Sequence, residues 1–202
     1  MKNIKQGLIV GTSSLGLIWG IMLISFIFPW ITQWGIVSRE ISIRSFLGIF
    51  FSPLLHGNMK HIIANSIPLF VLITTLVTMY PKLAVKVIFL SILLGGSLVW
   101  IFARSNAVCI GASGLIFSLI GFLMFSMIFR KDWTSFLIGI FIGLMYGGCL
   151  LGIFPSDPHI SWEGHLFGLI SGIYLAFFYR KEPGWKKDYN SNGVDVFRLP
   201  FF

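Results

Sequence analysis

The sequence predicts an all-α integral membrane protein: six transmembrane helices in one bundle, with both termini cytoplasmic. Three observations predict it. Of 202 residues, 56% are hydrophobic and only 11% charged, with a mean hydropathy of +0.88; a soluble domain cannot cover that much apolar surface. Six segments, about 7–31, 61–80, 83–103, 111–128, 133–154 and 161–179, approach the ~20 apolar residues needed to cross the hydrocarbon core. The cationic residues are clustered in alternate separators rather than spread.

In chain order, Met-Lys-Asn-Ile-Lys-Gln precedes the first apolar run, as in a signal peptide. That run is too long for a signal core and ends in Phe-Pro-Trp-Ile-Thr-Gln-Trp-Gly with no small-residue cleavage site, so it reads as a retained helix. Residues 32–60 are apolar but interrupted by Arg39, Glu40 and Arg44. No uncharged window there is long enough to span, so this stretch is expected to lie as an interfacial loop in the headgroup plane, the alternative being a short seventh helix. The later spans are separated by Pro81-Lys82, Arg104-Ser105-Asn106, Arg130-Lys131-Asp132 and Pro155-Ser156-Asp157-Pro158. Residues 1–180 thus form one membrane domain. Residues 181–202, with Pro183, Gly184 and an Asn-Ser-Asn-Gly turn, read as a short polar cytoplasmic tail.

With the N-terminus inside, cytoplasmic segments hold Lys2, Lys5, Lys82, Lys86, Arg130, Lys131, Arg180, Lys181, Lys186, Lys187 and Arg198. Outer segments hold Arg39, Arg44, Lys60 and Arg104. Eleven against four is the positive-inside bias. The formal charge of +8 is therefore assigned to membrane topology, not to nucleic-acid binding. Cys109 and Cys149 make no disulfide framework and no metal-binding spacing; they read as packing residues, and no metal or cofactor is expected.

Polar residues inside apolar spans are the informative ones. Ser113 lies at the start of the fourth span, within Gly111-Ala112-Ser113-Gly114. His61 and Asn65 lie in the first turns of the second span, His56 just before it, and Glu163 and His165 at the start of the sixth. All three spans run inward from the outer side, so topology alone brings these residues to one depth near the outer surface. His61 and Asn65, four apart, share a helix face. His165, Gly168 and Gly172 form a stripe that lets another helix approach closely. If that helix carries Ser113, the imidazole can take the serine proton and turn a poor nucleophile into a good one. No acid completes a triad: Glu163 is two residues from His165 and points to another face, so a Ser–His dyad is expected, its imidazole packed against Phe117. His61, Asn65 and the Ser113 backbone N–H are then candidate donors to the oxyanion of acyl transfer.

Each piece has a simpler reading. Gly-Ala-Ser-Gly alone is more often a helix-packing motif. His61 with Asn65 could be an interhelical hydrogen-bonding pair, His165 a proton-relay residue, and Glu163 a solvated or capping residue; His56 could bond loop backbone, and His159 reads as a plain loop residue. The conjunction on three spans at one depth argues against them together.

The motifs His56-Gly-Asn-Met-Lys-His61-Ile-Ile-Ala-Asn65, Gly111-Ala-Ser113-Gly114 and His165-Leu-Phe-Gly168 resemble those of the rhomboid family of intramembrane serine proteases, and the resemblance runs through roughly residues 7–180. It implies a six-helix bacterial-type core with Ser113 as nucleophile and His165 as general base. It further implies an oxyanion hole of His61, Asn65 and the Ser113 amide, supported by His56. Expected substrates are single-pass membrane proteins cut in or beside their transmembrane segments, with the lipid bilayer as surroundings and no metal, nucleotide or nucleic acid. Localisation would be multi-pass in a bacterial plasma membrane, the site facing the extracytoplasmic side. The first loop of many rhomboids carries a Trp-Arg pair; here Arg39 and Arg44 have no adjacent tryptophan. The alternative is a catalytically silent rhomboid-like protein that binds membrane-protein clients.

Overall fold

The computed structural model describes residues 2–105, 108–155 and 161–182. Its helices are α1 (Lys2–Ile27), α2 (Ile43–Phe51), α3 (Met59–Met79), α4 (Ala84–Phe102), α5 (Ser113–Arg130), α6 (Trp133–Tyr146) and α7 (Trp162–Phe178). Short 3-10 segments follow α1, α2 and α6, at Pro29–Trp34, Ser52–Leu54 and Gly147–Ile153. Among the described residues, five helical segments are long and apolar enough to cross a membrane, counting α6 with its 3-10 extension. The remaining candidate, α7, has 17 residues, about 25 Å at 1.5 Å per residue, the lower end of a crossing length. Large apolar side chains such as Ile67, Val85 and Leu144 stay more than two-thirds exposed on the outside of the bundle, as lipid permits and water does not.

Local chemistry sets the helix ends. The side chains of Ser42, Asn58 and Asp132 accept hydrogen bonds from the backbone N–H of Ser45, His61 and Ser135, capping α2, α3 and α6. Lys131, at φ 54°, takes the left-handed conformation that ends α5, and Asp132 starts α6 directly after it.

Helix α5 is the axis of the bundle: ten of its residues, from Leu115 to Ser126, are buried. It packs along α7 through bare backbone. A Cβ at Gly168 would overlap the Gly114 carbonyl, one at Gly172 the Ser118 carbonyl, and one at Gly121 would lie 2.7 Å from the Leu169 carbonyl. Below this contact Ser118 donates to Ser91 (2.7 Å), and Ser171 lies 3.1 Å from Ser118, so three buried hydroxyls join α4, α5 and α7. Interhelical hydrogen bonds of this kind hold where lipid removes the hydrophobic drive between helices. At the far end of α5, Arg130 donates to the Tyr179 carbonyl at the end of α7 (2.9 Å) and lies over the Tyr80 ring, whose hydroxyl meets Ser135 of α6 at 2.8 Å.

One expectation is corrected. Residues 32–60, expected as an interfacial loop with a short seventh helix as the alternative, contain that helix: α2 forms within them, its cap supplied by Ser42. Nine residues make only about 13 Å, so this helix does not span. Beside the helices, β1 (Ile36–Val37) pairs antiparallel with β2 (Val108–Cys109). Trp100 fastens the same region, donating to the Glu40 carbonyl and accepting from the Arg39 N–H, both at 2.8 Å. His159, Asp157 and most of the 181–202 tail lie outside the described residues.

Candidate active site

Strand β2 leads straight into Gly111, whose φ of +118° only glycine adopts at low cost. Its backbone N–H donates to the Ser52 carbonyl at 2.8 Å. A Cβ there would also sit 2.5 Å from the His61 ring and 3.5 Å from Asn65 Nδ2. The turn thus lays its backbone against both residues, and two residues later Ser113 opens α5. At that position the Ser113 N–H belongs to the first turn, where a helix has no carbonyl of its own to offer.

His56 holds this face from behind. Its Nε2 accepts from Asn65 Nδ2 at 3.1 Å and from the Ala112 N–H at 3.4 Å, and its ring meets His61 edge-on with centroids 5.1 Å apart. Burial, then the neighbouring His61, pull the His56 pKa down to about 4, so it stays a neutral acceptor at ordinary pH. Its folded pKa lies below the unfolded value near 6.5, so the unfolded chain takes up the proton first. Stability should accordingly be constant above about pH 6.5 and fall as pH drops from there towards 4. Thermal unfolding in detergent across that range, with His56→Asn expected to flatten the dependence, measures it.

His165 lies in the first turn of α7. Its ring stacks on Phe117 with centroids 4.2 Å apart and planes 3° from parallel, and its Nδ1 lies 2.9 Å from the Gly152 carbonyl. A carbonyl can only accept, so Nδ1 carries the proton and Nε2 keeps the lone pair. Phe117 is one turn after Ser113 and shares its helix face. Gly164 and Gly168, on either side of His165, abut Gly114, the residue next to Ser113. Among the described residues no direct hydrogen bond joins the Ser113 hydroxyl to the imidazole; such bonds commonly tighten only around bound substrate. Beside Ser113 lies a cavity of about 50 Å³, lined also by Ser52, Ser91, Gly111 and Ser161.

The structure thus brings Ser113, Gly114 and Phe117 of α5 together with His165 and Gly168 of α7, with Gly111 in the turn before α5 lying against His61 and Asn65, and His56 behind them. The family model described as the Rhomboid domain matches residues 43–182. This chain belongs to the rhomboid family. An uncharacterized protein of Mycobacterium tuberculosis is 37% identical over 151 residues, covering 69% of this rhomboid and 61% of that protein. One from Mycobacterium leprae is 34% identical over 161 residues, 75% of this chain and 63% of its own. A Bacillus subtilis protein, provisionally named a rhomboid protease, is 31% identical over 130 residues, covering 61% and 62% of the two chains. This rhomboid therefore spans less than two-thirds of the length of these relatives.

Glu163 departs from its sequence reading. It is neither solvated nor a cap but 3% exposed, and its Oε1 pairs with Arg104 Nε at 3.1 Å. Cys109 is buried with its thiol 3.0 Å from Ser161 Oγ, whereas Cys149 is exposed on the 3-10 segment after α6 and is not a core-packing residue. Sequence reasoning missed the Gly152 carbonyl, since a backbone acceptor leaves no trace in residue identity. It also missed Arg104, whose signal was a lone cation in the separator between α4 and α5.

Proposed function

We propose that this rhomboid is an intramembrane serine endopeptidase with a Ser113–His165 dyad, built on six spans with both termini cytoplasmic and its site facing the extracytoplasmic side of a bacterial plasma membrane. The observation that carries the reading is the Nδ1–Gly152 hydrogen bond on a ring stacked over Phe117. It leaves the basic Nε2 with its lone pair, on a ring held against Phe117, itself one helical turn after a serine beside which only glycine and alanine stand. His165 takes the proton of Ser113 as its oxygen attacks the substrate carbonyl, then passes it to the leaving amine. Water, for which the adjoining cavity has room, then hydrolyses the ester. Substrates are single-pass membrane proteins whose helix unwinds locally, because a helical peptide bond is hydrogen-bonded and covered.

A fluorophosphonate probe on the purified protein, with a fluorogenic transmembrane substrate alongside, tests this. Labelling at Ser113 that tracks cleavage is expected; a protein that binds membrane clients but takes up no probe would be the silent relative instead. Asn65 and His61 are read as oxyanion donors. Asn65→Ala should lower kcat by about 10²–10³ with little change in KM, measured on the same substrate.

A further inference from the structure

We infer that the Arg104–Glu163 pair, whose carboxylate is buried, is a positioning device that holds the base-bearing first turn of α7 against the segment leading to Ser113; this rests on the dyad reading above. The first turn of α7 is poorly held by its own means. Ser161, before it, makes no side-chain cap, and the His165 N–H reaches the Ser161 carbonyl at a long 3.4 Å. An uncapped first turn frays, yet His165 sits within it. What holds the turn comes from elsewhere in the chain. Glu163, its side chain 4% exposed, binds Arg104 at 3.1 Å, and Ser161 meets the Cys109 thiol at 3.0 Å. Both partners lie between α4 and Gly111, on the segment that delivers Ser113. The Arg104 carbonyl accepts from Ser38, and Cys109 pairs with Ile36 in the two-stranded sheet, so that segment is itself anchored. Glu163 and His165, two residues apart, face different sides of α7; the carboxylate thus acts through the helix and not on the imidazole.

The pair is also asymmetric. Glu163 Oε2 is buried with no hydrogen-bond partner, so removing Arg104 strands a whole carboxylate, whereas removing Glu163 leaves a guanidinium that is half exposed to solvent. An ordering of variants follows that generic destabilisation does not produce. The test takes the full chain in detergent–lipid micelles and reads kcat and KM on a transmembrane substrate, the rate of fluorophosphonate labelling, and thermal unfolding. Glu163→Gln should lower kcat and labelling on the order of 10-fold with KM nearly unchanged, and Arg104→Gln nearer 100-fold, as expected of a base displaced by about 1 Å. The double variant should recover to the Glu163→Gln level. Arg44→Gln, which breaks the exposed Arg44–Glu40 pair (3.3 Å), should leave both rates unchanged. If Arg104→Gln does not fold, Glu163→Asp carries the test, with an intermediate kcat expected. Wild-type kcat in Glu163→Gln or Glu163→Asp, or losses that simply add in the double variant, would overturn the inference. A wild-type protein that neither labels nor cleaves would overturn the dyad reading itself, independently of these variants.

Discussion

Replacing Ser113 with alanine should abolish cleavage of a transmembrane substrate, lowering kcat on the order of 10⁶ and leaving only what donors and binding supply. Alanine keeps the helix start and the small-residue surroundings, so the bundle should fold as before. His165→Ala should cost nearly as much, because the serine oxygen is reactive only while a base takes its proton. Nucleophile and base act as one unit, so the double variant should be no slower than either single one. Equal, non-additive losses with unchanged thermal unfolding are the signature. Retained cleavage in either variant sinks the dyad, and independent, multiplying losses would mean that the two residues serve separate steps.

The second large effect comes from a single methyl group. Gly172→Ala would drive a Cβ into the Ser118 carbonyl, with the Ser118 carbonyl carbon at 2.7 Å and the Phe122 nitrogen at 2.9 Å. Backbone cannot rotate away as a side chain can, so α7 must move off α5. Overpacking of this kind costs about 1–3 kcal/mol or more. The same displacement draws His165 away from Ser113, so activity should fall further than stability. Gly16→Ala is the control with opposite sign. That glycine lies inside α1 with nothing within 4 Å, and alanine there should stabilise by up to about 1 kcal/mol through helix propensity alone. Thermal unfolding of the two variants side by side reads the contrast; a tolerated Gly172→Ala would show that the α5–α7 contact has slack.

Helix α3 was expected over 61–80 and runs 59–79; α4 was expected over 83–103 and runs 84–102. Apolar length and proline or cationic punctuation are strong enough to bound such segments. The 32–60 stretch hid α2 because Arg39, Glu40 and Arg44 break the apolar run, while the Ser42 cap that starts the helix is a weak signal in an unfamiliar loop. The β1–β2 pair is two residues long on each side, too short to show an alternation. At the site, the glycine stripe of α7 was legible because close approach demands glycine whatever the partner is. Glu163 was not: its burial depends on Arg104, 59 positions earlier, and no local pattern announces that meeting.

The carbonyl that orients His165 belongs to Gly152, in the 3-10 segment after α6, none of whose residues is buried and whose Gly147 and Gly148 have open space around them. The imidazole is therefore tethered to a segment that has no buried side chain of its own. A sideways pull on the C-terminal end of α6 would reach the imidazole through one bond, and letting that bond go would free the ring to change tautomer. On the dyad reading this works as a safety catch: the proposed base is armed only while this slender segment rests in place.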